Sequence, residues 1–263
     1  MSNVFPADFR PAGCAECRNR QPLDIPITMA FQPIVDLRRR AVFGHEALVR
    51  GRNGEGAAAV LERVSDANRY SFDQTCRVAA IDLASRLGLE GMLSINFLPN
   101  AVYRAETCIR ATLEAAAQMS FPASRLMFEV TESEQVRDHQ HLKDIFVEYR
   151  RRGFTTAIDD FGAGHSGLNL LADFQPDIVK IDMALTRGID GDRVRRAIVS
   201  GIARVCGELR IEIVAEGIET AAECLALQDL GIGLFQGYLF ARPGFESLPA
   251  VPAAAWEQVS PAR

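Results

Sequence analysis

Eight short runs of apolar and β-branched residues recur along the chain, and helix-like stretches separate most of them. Apolar residues at three- and four-residue spacing indicate helices in FDQTCRVAAIDLASRLG, DHQHLKDIFVEYRRRG and RVRRAIVSGIARVCGEL. Strands that mostly alternate with helices in this number indicate an α/β fold, a (β/α)₈ barrel of the TIM type. The predicted strands are Met29–Val35, Val42–Arg50, Met92–Phe97, Leu126–Glu132, Thr155–Phe161, Ile178–Asp182, Glu212–Ile218 and Gly233–Phe240.

The connection between the first two predicted strands departs from this pattern. Only the six residues DLRRRA separate them, whereas a parallel crossover needs about a dozen or more. We therefore expect strand one to run antiparallel to strand two. The three arginines at 38–40 are then a solvated hairpin tip.

The length of the chain favours one large domain over two small ones. A chain of 263 residues with 48% hydrophobic composition suits a single barrel of about 250 residues. We assign residues 1–26 to an N-terminal extension, 27–250 to the barrel and 251–263 to a C-terminal tail. A net charge of −5 and few aromatic residues argue against general nucleic-acid binding.

The sequence also predicts a cytoplasmic protein without membrane association. No apolar run approaches the roughly 20 residues that span a bilayer, and the N-terminus has no apolar core of a signal peptide. Six scattered cysteines indicate reduced thiols. Cys14 and Cys17 form a CxxC without a second CxxC or a suitably spaced His pair, so they are functionless thiols, a metal site shared between subunits, or a thiol switch.

The stretch TTAIDDFGAGHSG places two adjacent carboxylates, Asp159 and Asp160, between a predicted buried strand and a glycine-rich turn. Neighbouring residues of a strand point to opposite faces. A bend at the strand end, or a ligand that bridges both carboxylates, is therefore needed for them to serve one site. In the alternative interpretation, Asp159 caps the next helix and Asp160 is solvated.

Polar residues lie at or near the carboxyl ends of seven predicted strands, which is where barrels of this kind hold their active sites. Several buried carboxylates need positive charge nearby, and Lys180 alone supplies too little. Carboxylates with one amide carbonyl suit two hard divalent cations, Mg²⁺ or Mn²⁺, which Asp159 could bridge. Taken singly, Asn96 could cap a helix, Glu132 could pair with an arginine, and Gln236 could satisfy a backbone amide. The set comprises Glu46, Asn96, Glu129, Glu132, Asp159, Asp160, Lys180, Glu216, Glu219 and Gln236.

Seven motifs from about Ile27 to Pro243 resemble, in order, the signature series of bacterial EAL-domain cyclic di-GMP phosphodiesterases. The stretch DDFGAGHSGLNLLADFQPD particularly resembles EAL domains fused to blue-light-sensing BLUF modules. The resemblance implies hydrolysis of one phosphodiester of cyclic di-GMP to linear pGpG. The motifs are EALVR, INF, FEVTE, IDDFGAG, VKID, AEGIE and QGYLFARP.

The resemblance also implies a role for each site residue. Lys180 would position the attacking water or help to deprotonate it, and Glu132 would brace the loop after strand five. Glu219 and Gln236 would support the metal-bound cluster. The implied substrate contacts are Gln32, Arg50 and Gln236. The implied ligands are Glu46, Asn96, Glu129 and Asp159 for one ion, and Asp159, Asp160 and Glu216 for the second.

Two departures from the family pattern lie near the site, His165 in place of a usual tyrosine and Phe97 after Asn96. Because every metal and water-positioning position carries the expected residue, an active enzyme is favoured, with Ca²⁺ inhibitory. The alternatives are a catalytically silent cyclic di-GMP receptor that acts through a partner, and a different Mg²⁺-dependent barrel enzyme of the enolase type.

The segment His165–Asp177 carries Leu168, Leu170, Leu171 and Phe174 within about two helical turns. This is more apolar surface than one stripe facing a barrel requires, so we expect a homodimer joined near this segment. In the alternative, all four side chains pack into the outer layer of the barrel. A separate sensor or regulatory protein is an expected partner.

Overall fold

In the computed structural model, which describes residues 26–102, 104–131, 139–164 and 167–259, eight strands form a closed barrel with helices around it. Strands β2 to β8 lie in sequence order, and β1 closes the barrel between β8 and β2. This confirms the predicted fold class. The strands are β1 (Ile27–Asp36), β2 (Ala41–Gly51), β3 (Met92–Asn96), β4 (Leu126–Thr131), β5 (Thr155–Phe161), β6 (Ile178–Ile181), β7 (Glu212–Ala215), β8 (Leu234–Gln236) and a short outer strand, β9 (Gly244–Phe245).

Strand β1 runs antiparallel to β2, as the six-residue connection predicted, and it is also antiparallel to β8 and β9. The other neighbouring pairs of the barrel are parallel. Ile27 pairs with Gly51, so the first residue of β1 lies beside the last residue of β2. The chain therefore enters the barrel at the end where β2 to β8 finish.

The three predicted helices form; the third has the predicted bounds, and the other two differ from theirs by up to three residues. Two single 3₁₀ turns lie between regular elements: Pro99–Ala101 follows β3, and Ala123–Arg125 precedes β4. None of the described helices is long and apolar enough to cross a bilayer. The helices are α1 (Ala57–Leu61), α2 (Arg69–Arg86), α3 (Ala105–Cys108), α4 (Arg110–Gln118), α5 (His139–Arg151), α6 (Gly167–Asp173), α7 (Met183–Thr186), α8 (Arg193–Leu209), α9 (Ala221–Gln228) and α10 (Ala253–Gln258).

Strands β7 and β8 end earlier than the sequence pattern suggested. Gly217 has a φ of +66°, a left-handed conformation that ends the extended backbone two residues after Ala215. A Cβ at Gly237 would lie 2.1 Å from the Ile218 carbonyl oxygen, so only glycine permits these two segments to approach each other. Each glycine directly follows the last inward-facing side chain of its segment, Glu216 or Gln236, and the extended backbone ends there.

The inside of the barrel has an apolar lower layer and a polar upper layer. Side chains on one face of a strand repeat every two residues. Each apolar residue of the lower layer therefore shares its face with a polar residue two positions away, as Ala157 does with Asp159. The lower layer consists of Ile34, Met127, Ala157, Ile178, Val214 and Leu234, and their polar counterparts are Gln32, Glu129, Asp159, Lys180, Glu216 and Gln236.

The segment after residue 250 packs on the barrel. Ala255 and Val259 are buried, and Trp256 lies 6.3 Å from Phe240 between ring centroids. The boundary at residue 250 remains a prediction. The N-terminal extension, including Cys14 and Cys17, lies outside the described residues.

Candidate metal centre

Lys180 lies at the centre of the polar layer and is fully buried. Its Nζ atom contacts four carboxylates, three on the strands β2, β4 and β5 and one, Glu216, directly after β7. The lysine therefore holds these acidic side chains together in the structure. The distances are 3.3 Å to Glu46 Oε2, 2.9 Å to Glu129 Oε2, 3.0 Å to Asp159 Oδ1 and 2.8 Å to Glu216 Oε1.

A bend at the end of β5 places both adjacent aspartates near this cluster. Asp160 has a φ of +55°, and the pairing of β5 with β6 shifts register between Ile158 and Phe161. The backbone amide of Asp160 also donates to Asp159 Oδ1 at 3.0 Å. This bend removes the alternation that would otherwise send the two carboxylates to opposite faces.

The carboxylates form two groups in which the oxygen atoms lie within 4.8 Å of one another. One group is Glu46, Glu129 and Asp159, and the other is Asp159, Asp160 and Glu216. When ionised, these five carboxylates carry more negative charge than the single ammonium group of Lys180 can balance. Two divalent cations would neutralise the remaining negative charge. An oxygen-only donor set is the type that Mg²⁺ and Mn²⁺ prefer. The residues present therefore fit the predicted pair of metal ions.

The protonation behaviour of the cluster reflects this crowding of negative charge. Burial raises the pKa of Glu129 to about 8, reinforced by Glu46 and Asp159 and opposed by Lys180. Burial, together with the charge of Asp159, raises the pKa of Asp160 to about 6. Burial alone would lower the pKa of Lys180, but the surrounding carboxylates outweigh it and raise that pKa well above its usual value. A cation bound beside buried carboxylates stabilises their ionised form and so lowers the pKa that burial has raised.

A chain of amides surrounds Glu46. Asn96 Nδ2 donates to Glu46 Oε1 at 2.9 Å, and Gln236 Nε2 donates to Glu46 Oε2 at 2.7 Å. Gln236 Nε2 also lies 3.3 Å from Gln32 Oε1, and Gln32 donates to the Ala241 carbonyl at 3.1 Å. The buried Oε1 atoms of Glu129 and Gln236 have no hydrogen-bond partner among the described residues. Such unpaired acceptors are costly unless a cation or a donor faces them.

Two predicted site residues lie farther towards solvent. Arg50 Nη1 donates to the Val49 carbonyl at 2.7 Å. Glu219 Oε1 forms an ion pair with Arg187 Nη2 at 2.6 Å, and the Glu219 side chain is 42% exposed. The described side-chain contacts of Glu219 do not include one to the carboxylates around Lys180, so its support of that cluster remains a prediction. Glu132 and His165 lie outside the described residues.

Glu223 holds the loop after Glu216 and was not among the predicted site residues. Glu223 accepts hydrogen bonds from the backbone amides of Gly188, Glu219 and Thr220 at 2.8, 3.0 and 3.0 Å. Thr220 and Glu223 form a capping box at the start of α9. The spacing T-x-x-E is a sequence signal for this device and could have revealed it.

Comparisons with known proteins agree on one family. A family model described as EAL domain matches residues 24–243. The blue light- and temperature-regulated antirepressor BluF of Escherichia coli is 32% identical over 230 residues, which are 87% of this chain and 56% of BluF. The probable cyclic di-GMP phosphodiesterase PdeD of Escherichia coli is 30% identical over 219 residues, 81% of this chain and 40% of PdeD. The chain therefore spans about half the length of these curated relatives.

Solved structures match more fully. A standalone versatile EAL protein from Vibrio cholerae, in its c-di-GMP bound form, is 56% identical with a TM-score of 0.86, covering 89% of this chain and 98% of that one. BlrP1 of Klebsiella pneumoniae, in a manganese and cyclic di-GMP complex, is 35% identical with a TM-score of 0.81, covering 92% of this chain and 61% of that one.

Proposed function

The chain belongs to the EAL domain family, and from this premise we propose that it is a metal-dependent phosphodiesterase that hydrolyses cyclic di-GMP to linear pGpG. The observation that carries the proposal is the pair of carboxylate groups that share Asp159. Related proteins support the substrate, because one relative is named a probable cyclic di-GMP phosphodiesterase and two similar structures contain this nucleotide.

We assign the ligands as the sequence predicted them. Asn96 is assigned to the first ion through its amide oxygen, while its Nδ2 atom donates to Glu46 Oε1, and Glu216 belongs to the second carboxylate group. When bound, the two cations supply a water of lowered pKa and neutralise charge on the phosphodiester and the leaving oxygen. The ligands are Glu46, Asn96, Glu129 and Asp159 for one ion, and Asp159, Asp160 and Glu216 for the other.

Other residues of the chain orient these groups. Lys180, whose Nζ atom lies within 3.3 Å of four carboxylate oxygens, is assigned to position the attacking water or to help deprotonate it. Gln236 donates a hydrogen bond to the carboxylate of Glu46. Gln32 in turn accepts from the side-chain amide of Gln236. Arg50, at the mouth of the barrel, is assigned to the nucleotide.

The alternative is a catalytically silent cyclic di-GMP receptor that signals through a partner. A receptor has no need for Lys180 among four carboxylates or for Asp159 shared between two groups. The structure therefore favours the enzyme. Turnover separates the two functions, because only the enzyme produces pGpG.

The deciding experiment incubates the purified chain with cyclic di-GMP and Mg²⁺ or Mn²⁺ and separates the products by chromatography. We expect pGpG to accumulate with either ion and to be absent with EDTA. Ca²⁺ should inhibit, because it is larger and tolerates irregular coordination that does not hold water for attack. Binding of cyclic di-GMP without pGpG in Mg²⁺ and Mn²⁺ would favour the receptor, and full turnover in EDTA would exclude the two-metal mechanism.

We also propose a homodimer, but the structure changes the surface that supports it. Leu170, Leu171 and Phe174 are buried within the chain, so the prediction that they form excess apolar surface was wrong for these three. They pack into the outer layer of the barrel; the ring of Phe174 stacks on Phe146 with centroids 4.1 Å apart. Leu168 alone of the four remains exposed, at 65%.

Helix α8 supplies the remaining apolar surface for a second copy. Val194, Ile198, Val205 and Leu209 are exposed and lie along one side of this helix. A groove of about 780 Å³ between α6 and α8 is lined by Leu168, Ile198 and Val205. Phe161 and Gly162, directly after the metal-binding aspartates, line the same groove. A second chain seated here would contact the loop that carries Asp160.

Replacing Ile198 with glutamate should convert the dimer to a monomer, because it places a charge in the centre of this apolar surface. Light scattering at micromolar concentration should give twice the 28.9 kDa chain mass for the wild type and the chain mass for Ile198→Glu. Val147→Glu is the matched control, since Val147 is an exposed apolar residue on α5. A monomeric wild type with full activity would contradict the dimer.

Two further expectations concern the cellular context. We place the protein in the cytoplasm, because its six cysteines are scattered along the sequence rather than arranged as a disulfide framework. A sensor or regulatory protein remains a proposed partner.

A further inference from the structure

A buried ion pair lies on α2, behind strands β3 and β4 and outside the metal centre. Arg77 is fully buried, and its Nη2 atom is 2.9 Å from Asp73 Oδ2, whose side chain is also buried. Arg77 Nη1 donates to the hydroxyl of Tyr149 on α5 at 2.8 Å. An arginine without solvent contact is unusual, and Asp73 compensates its charge, although Nε and Nη2 have no geometrically complete hydrogen bond among the described residues.

The pair contacts the two strands at adjacent positions. The Arg77 guanidinium carbon lies 5.5 Å from the ring centroid of Phe97 and 5.2 Å from that of Phe128. The other carboxylate oxygen of Asp73 accepts the backbone amide of Leu98 at 3.0 Å. Arg77 and Asp73 therefore fix both the outer face of β3 and β4 and the backbone where β3 ends.

These contact points are the direct neighbours of two proposed metal ligands. Phe97 follows Asn96, Phe128 precedes Glu129, and the Phe97 amide donates to the Glu129 carbonyl at 2.9 Å. Successive side chains of a strand point to opposite faces. A ring held outside the barrel at Phe97 or Phe128 thus fixes the direction in which Asn96 or Glu129 points inside it.

We propose that Arg77 and Asp73 are positioning residues that fix Asn96 and Glu129 for the first metal ion. The inference rests on the proposed two-metal function. Stability alone gives little reason for the pair, because buried ion pairs can often be replaced by apolar residues without loss of stability. A planar guanidinium, in contrast, holds rings and acceptors in fixed directions.

The inference distinguishes the two ions. The described hydrogen bonds and ring contacts of Arg77 and Asp73 go to α2, α5, β4 and the end of β3. The assigned ligands of the second ion, Asp159, Asp160 and Glu216, lie on β5 and directly after β7. Disturbing the pair should therefore weaken one ion more than the other, whereas general loosening of the core would weaken both.

The test is calorimetric titration of the full chain with Mn²⁺, for the wild type and for the double variant Asp73→Asn with Arg77→Met. The double change removes the charges together, so neither is left buried and uncompensated. We expect two Mn²⁺ per chain in the wild type. In the double variant one ion should keep its affinity and the other should bind about 10- to 100-fold more weakly.

Val199→Ala is the control for stability, because Val199 is buried on α8, away from the pair. If a folded double variant binds both ions with unchanged affinity, the inference is overturned. It is also overturned if the double variant and the control each bind both ions more weakly, and to the same extent. If the double variant does not fold, the same titration is made with Tyr149→Phe, which removes only the hydroxyl that accepts from Arg77. Weaker binding of the first ion then supports the inference, and unchanged binding of both ions overturns it. A wild type that binds two Mn²⁺ but forms no pGpG contradicts the enzymatic function and leaves this comparison intact.

Discussion

Replacement of Lys180 with methionine should reduce the turnover of cyclic di-GMP by roughly 100-fold or more at saturating Mn²⁺. Methionine keeps much of the side-chain volume but cannot donate a hydrogen bond to the attacking water. The nucleotide itself should still bind, because Lys180 lies fully buried beneath the metal ligands rather than at the mouth of the barrel. Product formation and calorimetric binding of cyclic di-GMP measure the two effects separately.

The same variant should become dependent on metal for its stability. Without Lys180, four carboxylates lose the ammonium group that separates them, and the metal-free protein should lose about 3–5 kcal/mol of unfolding free energy. Mn²⁺ should restore most of this loss, which thermal melts with and without EDTA will show. Lys143→Met, at an exposed position on α5, is the matched control. Wild-type turnover in Lys180→Met would remove the lysine from the mechanism.

Asp159→Asn should abolish hydrolysis to the level of the EDTA-treated protein. Asp159 is the member that both carboxylate groups share, so this single change weakens both ions, whereas Asp160→Asn or Glu46→Ala alters one group only. Asparagine has the same shape and retains an oxygen that can accept the Asp160 amide. The expected loss therefore comes from the missing charge and not from a collapsed loop.

Mn²⁺ titration and product chromatography on the same samples check this expectation. Asp190→Asn removes the same charge from an exposed position and should behave as wild type. If Asp159→Asn binds both ions normally, or if Glu46→Ala loses both ions as completely, the shared-ligand assignment is incorrect.

Those parts of the architecture that depend on local spacing could be predicted from the sequence. The six-residue connection excluded a parallel crossover, and β1 is indeed antiparallel to β2. Oxygen-bearing residues at the ends of successive strands were expected to converge, and Glu46, Glu129, Asp159 and Glu216 do so around Lys180. In both cases a few neighbouring residues and the geometry of a barrel determine the result.

Features that depend on distant contacts could not be predicted. The left-handed backbone of Asp160 resolves the orientation of the two aspartates, but nothing in the letters DD specifies it. Leu170, Leu171 and Phe174 looked like surplus apolar surface because their partners come from other parts of the chain. No local pattern marks Arg77 as buried, since its neighbours Phe97, Phe128 and Tyr149 follow it by 20 or more residues.

The closure of the barrel through β1 has a consequence for how the protein folds during synthesis. Gln236 on β8 donates to Glu46 on β2 across 190 residues of chain, and β1 pairs with β8 and β9 as well as β2. Contacts of such high sequence separation form late, because the chain entropy of a long loop must be lost first. A nascent chain on the ribosome therefore carries its acidic cluster in an open sheet until β8 has emerged. Closure of the barrel therefore follows the synthesis of every proposed metal ligand, and Gln236, which donates to Glu46, is the last residue to join the polar layer.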